Sequence, residues 1–345
     1  MKSKTSRSPV EQEDLVLLAH GDGGLLTDRL VREVFLKHFN NPWLEEQGDA
    51  ARLPASSGPL AITTDSFVVS PMFFPGGDIG KLAVCGTVND LAASGARPLY
   101  LTAAFIIEEG LPVADLERVV RSMAETAAVL NLPVVAGDTK VVARGQADGL
   151  YINTTGVGVL EPGRRLEPAS VVPGDRVLVT GSLGQHGAAI LAARQELGLS
   201  NAPESDCAPL SPLVEELLPR FPGIRVMRDP TRGGVATTLK ELAEAGRFDV
   251  WLDEEALPLA PSVRGITEMV GVDPLYLACE GRLVMAVAPA EVPALLAALH
   301  SHPLGAGAAV IGEVRAGEGN VNLCTSWGGT RRLDKLAGDP LPRIC

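Results

Sequence analysis

The sequence predicts an α+β protein of two domains that ends in a short tail. Three observations carry this expectation. The 345 residues exceed what one core usually organises. Strand-like and helix-like segments alternate in both halves, but without the regular rhythm of parallel βαβ units, which favours mixed sheets over a doubly wound one. A composition of 46% apolar but only 4% aromatic residues fits an aliphatic globular core.

The elements follow in order. Residues 1–14 begin basic and Ser-rich and turn acidic at Glu11 to Asp14 where a leader would be apolar, so they read as a loose segment. The first domain is expected over 15–165. An apolar run at 15–19 enters His20-Gly21-Asp22-Gly23-Gly24, and Leu26, Leu30 and Val34 then share a helical face. Glycines before a helix can present backbone N–H groups to phosphate, or simply form a turn. Residues 40–59 read as a loop. Residues 60–69 read as a strand interrupted by Asp65, a costly residue there unless it faces a cleft or an ion. Asp78 opens a helix over 79–93 with a face of small residues, Ala83, Gly86, Asp90 and Ala93. A strand at 99–107, an amphipathic helix at 112–130 and a strand at 133–136 follow, the last ending in Gly137-Asp138-Thr139-Lys140. A strand at 150–160 precedes a junction rich in proline.

The second domain is expected over 166–335. It starts with a strand at 175–180 and a helix at 188–197. A short helix at 212–218 leads to Asp229-Pro230-Thr231-Arg232-Gly233-Gly234, which precedes a helix at 235–245. Strands and a helix around 283–288, 290–299, 310–314 and 321–324 complete it. In the tail, 336–345, Pro340 and Pro342 disfavour helix and hold the approach to Cys345 extended. About ten extended residues span roughly 35 Å, enough to enter a site on the same molecule or to reach another protein.

A formal net charge of −12 argues against nucleic acid or an anionic membrane as partner. No apolar run approaches the ~20 residues of a membrane span. Five scattered cysteines without a CxxC pair suit reduced thiols and a cytoplasmic location.

Four acids stand at strand ends, helix turns or Gly-rich loops: Asp65, Asp90, Asp138 and Asp229. Each alone could be a cap or a turn residue. Together with Lys140, Arg232 and the two glycine-rich helix entries they suit Mg²⁺-ATP chemistry, in which positioning and charge neutralisation dominate. The GxxxxGK[ST] phosphate loop is absent.

Asp65 in TTDSFVV, Asn89-Asp90 in VNDLAASGARP, GDTKVV at 137–142, DPTRGG at 229–234, YLACEGRLV at 276–284 and the terminal LPRIC resemble the HypE family of hydrogenase maturation factors. That family lies within the ATP-binding superfamily of aminoimidazole ribonucleotide synthetase, selenophosphate synthetase and thiamine-monophosphate kinase. The resemblance runs from about residue 15 to Cys345. It implies an aminoimidazole ribonucleotide synthetase-like fold, a homodimer whose N-terminal sheets meet as a barrel, and ATP in the cleft between domains. It places the nucleotide at Gly21, Gly23, Gly24, Thr64, Asp65, Asp78, Lys81, Asn89, Asp90, Asp138, Thr139, Asp229, Thr231, Arg232 and Gly233. Mg²⁺ would be held by Asp65, Asp90, Asp138 and Asp229.

The implied activity is ATP-dependent dehydration of a carbamoyl group on Cys345 to a thiocyanate, the cyanide donor for [NiFe]-hydrogenase. Glu280 is the favoured base. Lys140 is either a second base, which requires its ammonium to be desolvated, or a charge on the transferring phosphoryl group. The implied partners are the carbamoyltransferase HypF and a HypC–HypD scaffold. The tail is expected to be flexible, with a buried and an exposed state, and ATP favouring the buried one. Two alternatives use the same features: a small-molecule kinase or ligase, which leaves Cys345 without a role, and a non-enzymatic metal chaperone with Cys345 as ligand. Two positions depart from the family pattern. Asp22 interrupts its glycine run, and Cys279 stands where Asn is common.

Overall fold

The structure, a computed structural model, describes residues 15–161, 163–194, 202–338 and 343–345. The loose segment expected at 1–14 and Pro340 and Pro342 lie outside the described residues.

The first half carries strands β1 (Leu60–Phe67), β2 (Phe73–Phe74), β3 (Gly77–Asp78), β4 (Ala96–Glu108), β5 (Val134–Val142) and β6 (Leu150–Leu160). Its main sheet has the order β1-β6-β4-β5, with β4 and β5 parallel and the other pairs antiparallel. Helix α1 (Leu25–Leu30) continues through a wider turn at Val31–Leu36, and α2 (Pro42–Glu45) is a single turn inside the expected loop. Asn41 caps that turn by accepting from Trp43 N and Leu44 N. Helices α3 (Ile79–Ala93) and α4 (Val113–Val129) cover one face of the sheet.

The second half builds a seven-stranded sheet from β7 (Arg176–Val179), β8 (Ile224–Arg228), β9 (Phe248–Asp253), β10 (Val284–Val287), β11 (Ala309–Ala316), β12 (Val321–Cys324) and β13 (Thr330–Leu333). The order is β13-β12-β9-β11-β7-β10-β8, again mixed. Its helices are α5 (Gln185–Arg194), α6 (Ser211–Leu217), α7 (Gly234–Gly246), α8 (Pro261–Val270) and α9 (Val292–Ser301). The two mixed sheets bear out the α+β class.

Two features of the first sheet decide where the site lies. β5 does not end at Ala136 but runs through Asp138 and Lys140 to Val142, because its pairing with β4 persists to Glu108. Strand alternation then sorts the side chains. Thr63, Asp65 and Phe67 of β1 point inward under α3, whereas Leu60, Ile62, Thr64 and Ser66 point outward. The outward face is left bare, with Leu60, Ile62 and Ile106 among the exposed large apolar side chains.

Helix α3 is buried nearly all round, which its small residues permit. A Cβ on Gly80 would lie 2.4 Å from Val119 O of α4, and one on Gly86 would lie 2.9 Å from the Phe67 ring. The first core packs α3, α4 and the inner sheet face, and it also takes in Ala188, Ile190 and Leu191 of α5 and Ile344 of the tail. The two halves and the tail thus share one apolar body.

Candidate active site

A cleft of about 820 Å³ opens between the halves, within the ~300–1,000 Å³ usual for small-ligand sites. β1 and α3 line it from one side with Thr63 and Asp90. β8, α7 and the turn between them line it from the other with Asp229, Thr231, Arg232 and Thr237. The turn exists because Gly233 and Gly234 both take positive φ, +74° and +60°. A Cβ on Gly234 would also sit 2.5 Å from Leu275 O, so the loop is pressed against the 275–277 segment.

Three predicted acids meet at this cleft. Thr63 Oγ1 donates to Asp90 Oδ2 at 2.8 Å. Burial and the neighbouring Asp90 carboxylate push Asp65 up to about 6, with Arg232 opposing weakly. Burial, Asp90 and Asp65 push Asp229 up to about 7. Glu280 completes the acidic group. It is 1% exposed, its Oε1 has no hydrogen-bond partner, and burial with Cys207, Asp229, Asp206 and Asp65 around it holds it well above the usual carboxylate range. The physical cause throughout is uncompensated negative charge in low dielectric.

Glu280 is clamped through its backbone. Its N–H donates to Asp206 Oδ1 at 3.1 Å, and its C=O accepts from Asn89 Nδ2 at 3.1 Å. Asn89 Nδ2 also donates to Ala208 O, and Asn89 Oδ1 accepts from Leu210 N. Asn89 was expected at the nucleotide. Its fully buried amide instead ties α3 of the first half to the 208–210 loop and Glu280 of the second. Asp78 likewise spends Oδ1 on Gly80 N and Lys81 N as the N-cap of α3, while Lys81 Nζ donates to Gly76 O.

A second group lies elsewhere on the sheet. Gly21, Gly23, Asp138, Thr139 and Lys140 line a separate cavity of about 330 Å³ walled by Val31, Phe35 and Phe105. Lys140 Nζ pairs with Asp138 Oδ1 at 2.9 Å, and both side chains are mostly exposed. Asp65 aligns across β6 and β4 with Gly137, three strand spacings or about 14 Å away. Asp138 and Lys140 face the opposite way, in register with Ala104 and Ile106. Within one chain, Asp138 and Lys140 therefore do not join Asp65, Asp90, Asp229 and Glu280. Thr64 is also outward, bonded to Thr154 O and Thr155 Oγ1. Gly23 N donates to Thr27 Oγ1, and the flanking Asp22 and Gly24 are exposed.

The tail end is docked. Val68 N donates to Cys345 O at 3.0 Å, just beyond β1, and Ser70 N donates to Arg343 O at 3.3 Å. Ile344 is 3% exposed, and Cys345 packs against the first core beside it. Arg343 Nε donates to Val68 O, and Arg194 of α5 donates to both Ser70 O and Arg343 O. His186 meets Ile344 O, and Ser205 and Asp206 lie beyond it; none of these was singled out from the sequence. No local pattern in the sequence marks them. Cys279 is a passive thiol here, buried, pushed up by burial and accepting from Gly184 N.

Residues 47–160 match the family described as AIR synthase related protein, N-terminal domain, and 172–323 match its C-terminal domain. The chain is 51% identical over 337 residues to carbamoyl dehydratase HypE of Rhodobacter capsulatus, covering 97% of this chain and 99% of that one. The chain belongs to the HypE family. The Escherichia coli K12 HypE is 50% identical, covering 96% of this chain and 99% of that one. A solved HypE in complex with ATP superposes with a TM-score of 0.92 at 47% identity, over 95% of this chain and 99% of that one. A HypE solved in a HypE–HypF complex gives 0.78 at 46% identity, over 89% and 99%. A thiamine-monophosphate kinase from Stenotrophomonas maltophilia, 22% identical with a TM-score of 0.64, shares the fold.

Proposed function

We propose that this chain, as an ATP-dependent carbamoyl dehydratase, converts a carbamoyl group carried on its own Cys345 into a thiocyanate. One observation carries the reading. The last three residues are docked against the 68–70 segment and α5, and the 205–208 segment behind them holds a buried, uncompensated Glu280.

The carbamoyl group, S–C(=O)–NH₂, loses its oxygen poorly as hydroxide. Transfer of the ATP γ-phosphoryl to that oxygen makes phosphate the leaving group, and loss of both nitrogen protons leaves S–C≡N, ADP and phosphate. Burial and the surrounding acids favour the protonated form of Glu280, which can stand as a hydrogen-bond donor to the carbonyl. It becomes a base once cationic charge enters the cleft and lowers its proton affinity. Lys140 within one chain is exposed and paired with Asp138, so the desolvation a base role requires is absent there. Lys140 then supplies charge at the phosphoryl group.

Among the described residues no three His, Cys, Asp or Glu side chains form a ready metal cage. Mg²⁺ does not require one, since it usually takes one or two carboxylates together with phosphate and water. Asp65, Asp90 and Asp229 have the excess negative charge that such an ion relieves, and they would hold it; bound there, it would neutralise phosphate charge. Asp138 would reach it only from another chain. The bare outward face of the first sheet supports a homodimer in which two such faces close into a barrel. That places Thr64, Asp138 and Lys140 at the seam. The chain then divides into 1–14, 15–165, 166–335 and a tail at 336–345. HypF and HypC–HypD would be its partners and the cytoplasm its location. Intact mass measurement tests the core of it. After verified carbamoylation, addition of Mg²⁺ and ATP should remove the mass of one water from the C-terminal peptide, and an unchanged mass refutes the reading.

A further inference from the structure

We infer that His186 is a positioning residue that latches the docked tail and passes that docking through Ser205 and Asp206 to Glu280. The inference rests on the dehydratase reading above for Glu280, but not for the latch itself.

His186 opens the first turn of α5, is fully buried, and meets the Phe74 ring edge-on at 5.3 Å. Its Nε2 lies 2.7 Å from Ile344 O and its Nδ1 lies 2.8 Å from Ser205 Oγ. A carbonyl oxygen only accepts, so Nε2 carries the proton. Burial keeps the ring neutral, which leaves Nδ1 bare to accept from the Ser205 hydroxyl. The Ser205 oxygen accepts in turn from Cys207 N at 3.0 Å. All three bonds therefore have a fixed direction, and the tail carbonyl sets that of the two at His186. If the tail leaves, a buried Nε2–H loses its acceptor and the ring is free to change tautomer.

The same short segment holds Glu280. Asp206 Oδ1 accepts from Glu280 N, Asp206 Oδ2 faces Arg282 at 3.7 Å, and Ala208 N donates to Glu280 O at 3.4 Å. Gly281 is pressed so hard on this segment that a Cβ there would fall 1.8 Å from Asp206 O. A shift at Ser205 cannot be absorbed before it reaches Glu280.

The test uses the full chain in wild-type, H186F, H186Q and S205A forms, each checked for its melting temperature. Iodoacetamide labelling of Cys345 is read at the C-terminal peptide, and in carbamoylated protein the rate of water loss and the ATP affinity are measured. In H186F, Cys345 labelling should rise about tenfold, as loss of one buried hydrogen bond predicts, and dehydration should fall by a similar factor at unchanged ATP affinity. H186Q can still donate to Ile344 O and should recover most of the protection. S205A should slow dehydration while labelling changes less than twofold. If H186F labels and reacts within twofold of wild type, or H186Q is no better than H186F, the latch is overturned. If S205A dehydrates at the wild-type rate, the link to Glu280 is overturned. Labelling needs no turnover, so the latch can stand or fall independently of the dehydratase reading.

Discussion

Replacing Asp229 by Asn should stabilise the protein, and more so as the pH rises. The carboxyl is 8% exposed and shifts from 3.8 to about 7 on folding, through burial and the charges of Asp90 and Asp65. An acid raised in the folded state binds protons more tightly there, so it opposes folding wherever the unfolded chain is ionised. The cost is absent below pH 3.8, grows between 3.8 and about 7, and is complete above that. Three units correspond to about 4 kcal/mol at the upper limit. Between pH 5.5 and 8 the gap between D229N and wild type should widen by about 2 kcal/mol. Urea denaturation at several pH values in metal-free, nucleotide-free buffer reads this directly. Parallel stability curves for the two proteins would refute the account of Asp229 as a buried, repelled acid. The same variant should bind Mg²⁺-ATP more weakly, so stability and ligand affinity should move in opposite directions.

Glu280→Gln should raise the melting temperature at pH 8 relative to pH 5 for the same reason, and should abolish water loss from carbamoylated Cys345 while ATP affinity stays within about threefold. Calorimetry and intact mass check the two halves. Asn89→Ala removes the amide that joins Ala208, Leu210 and Glu280 across the two halves. It should cost about 2–3 kcal/mol by urea denaturation and slow dehydration, because buried partners lose their bonds. Ile62→Glu adds charge to an exposed position, so a monomer should tolerate it. In the proposed dimer it should shift sedimentation toward monomer and lower turnover together, whereas an unchanged sedimentation coefficient would exclude that face as the seam.

Much of the fold was legible because its signals are local. The helix at 79–93 begins at a visible cap, Asp78, and 150–160 alternates cleanly, so both were placed to the residue. β5 was cut short because Gly137 and the polar Asp138-Thr139-Lys140 look like a strand end. Only its parallel pairing with β4, a nonlocal contact, shows that it continues. β9 and α8 were missed altogether; Asp249 and Gly265 interrupt their apolar patterns. In the site, DPTRGG and EGR were readable because glycine and charge crowd together there. In sequence Asn89 carries the same polar signal as the adjacent Asp90. Helix geometry turns adjacent residues about 100° apart, so Asp90 faces the cleft while Asn89 faces the second half. Asp206 and His186 carried no signal at all, since their importance lies in what folds against them.

The placement of the acids also explains why the tail and the domains must cooperate. Burial raises Asp65, Asp229 and Glu280; Asp90 adds to the first two, and Asp65 and Asp229 add to Glu280, so the cleft carries acidic charge that Arg228 and Arg232 offset only in part. Arg232 opposes the shift on Asp65, and its effect is the smallest of those acting there. The stabilisation must then come from what binds. On the proposed reading, cationic charge arriving with nucleotide would lower the proton affinity of all three acids, since each is raised in part by neighbouring carboxylates. On the same reading, Glu280 ionises when the phosphoryl donor binds, and the seated tail orders the 205–208 segment that carries it. A base that is inert until both conditions hold protects the terminal thiol from chemistry in their absence. The expected signature is uptake and release of protons: binding of Mg²⁺-ATP at pH 7 should expel about half a proton from Asp229 alone. Calorimetry in buffers of different ionisation enthalpy measures it. Binding without proton release would mean that the acids are already ionised, and the gating argument would fail with them.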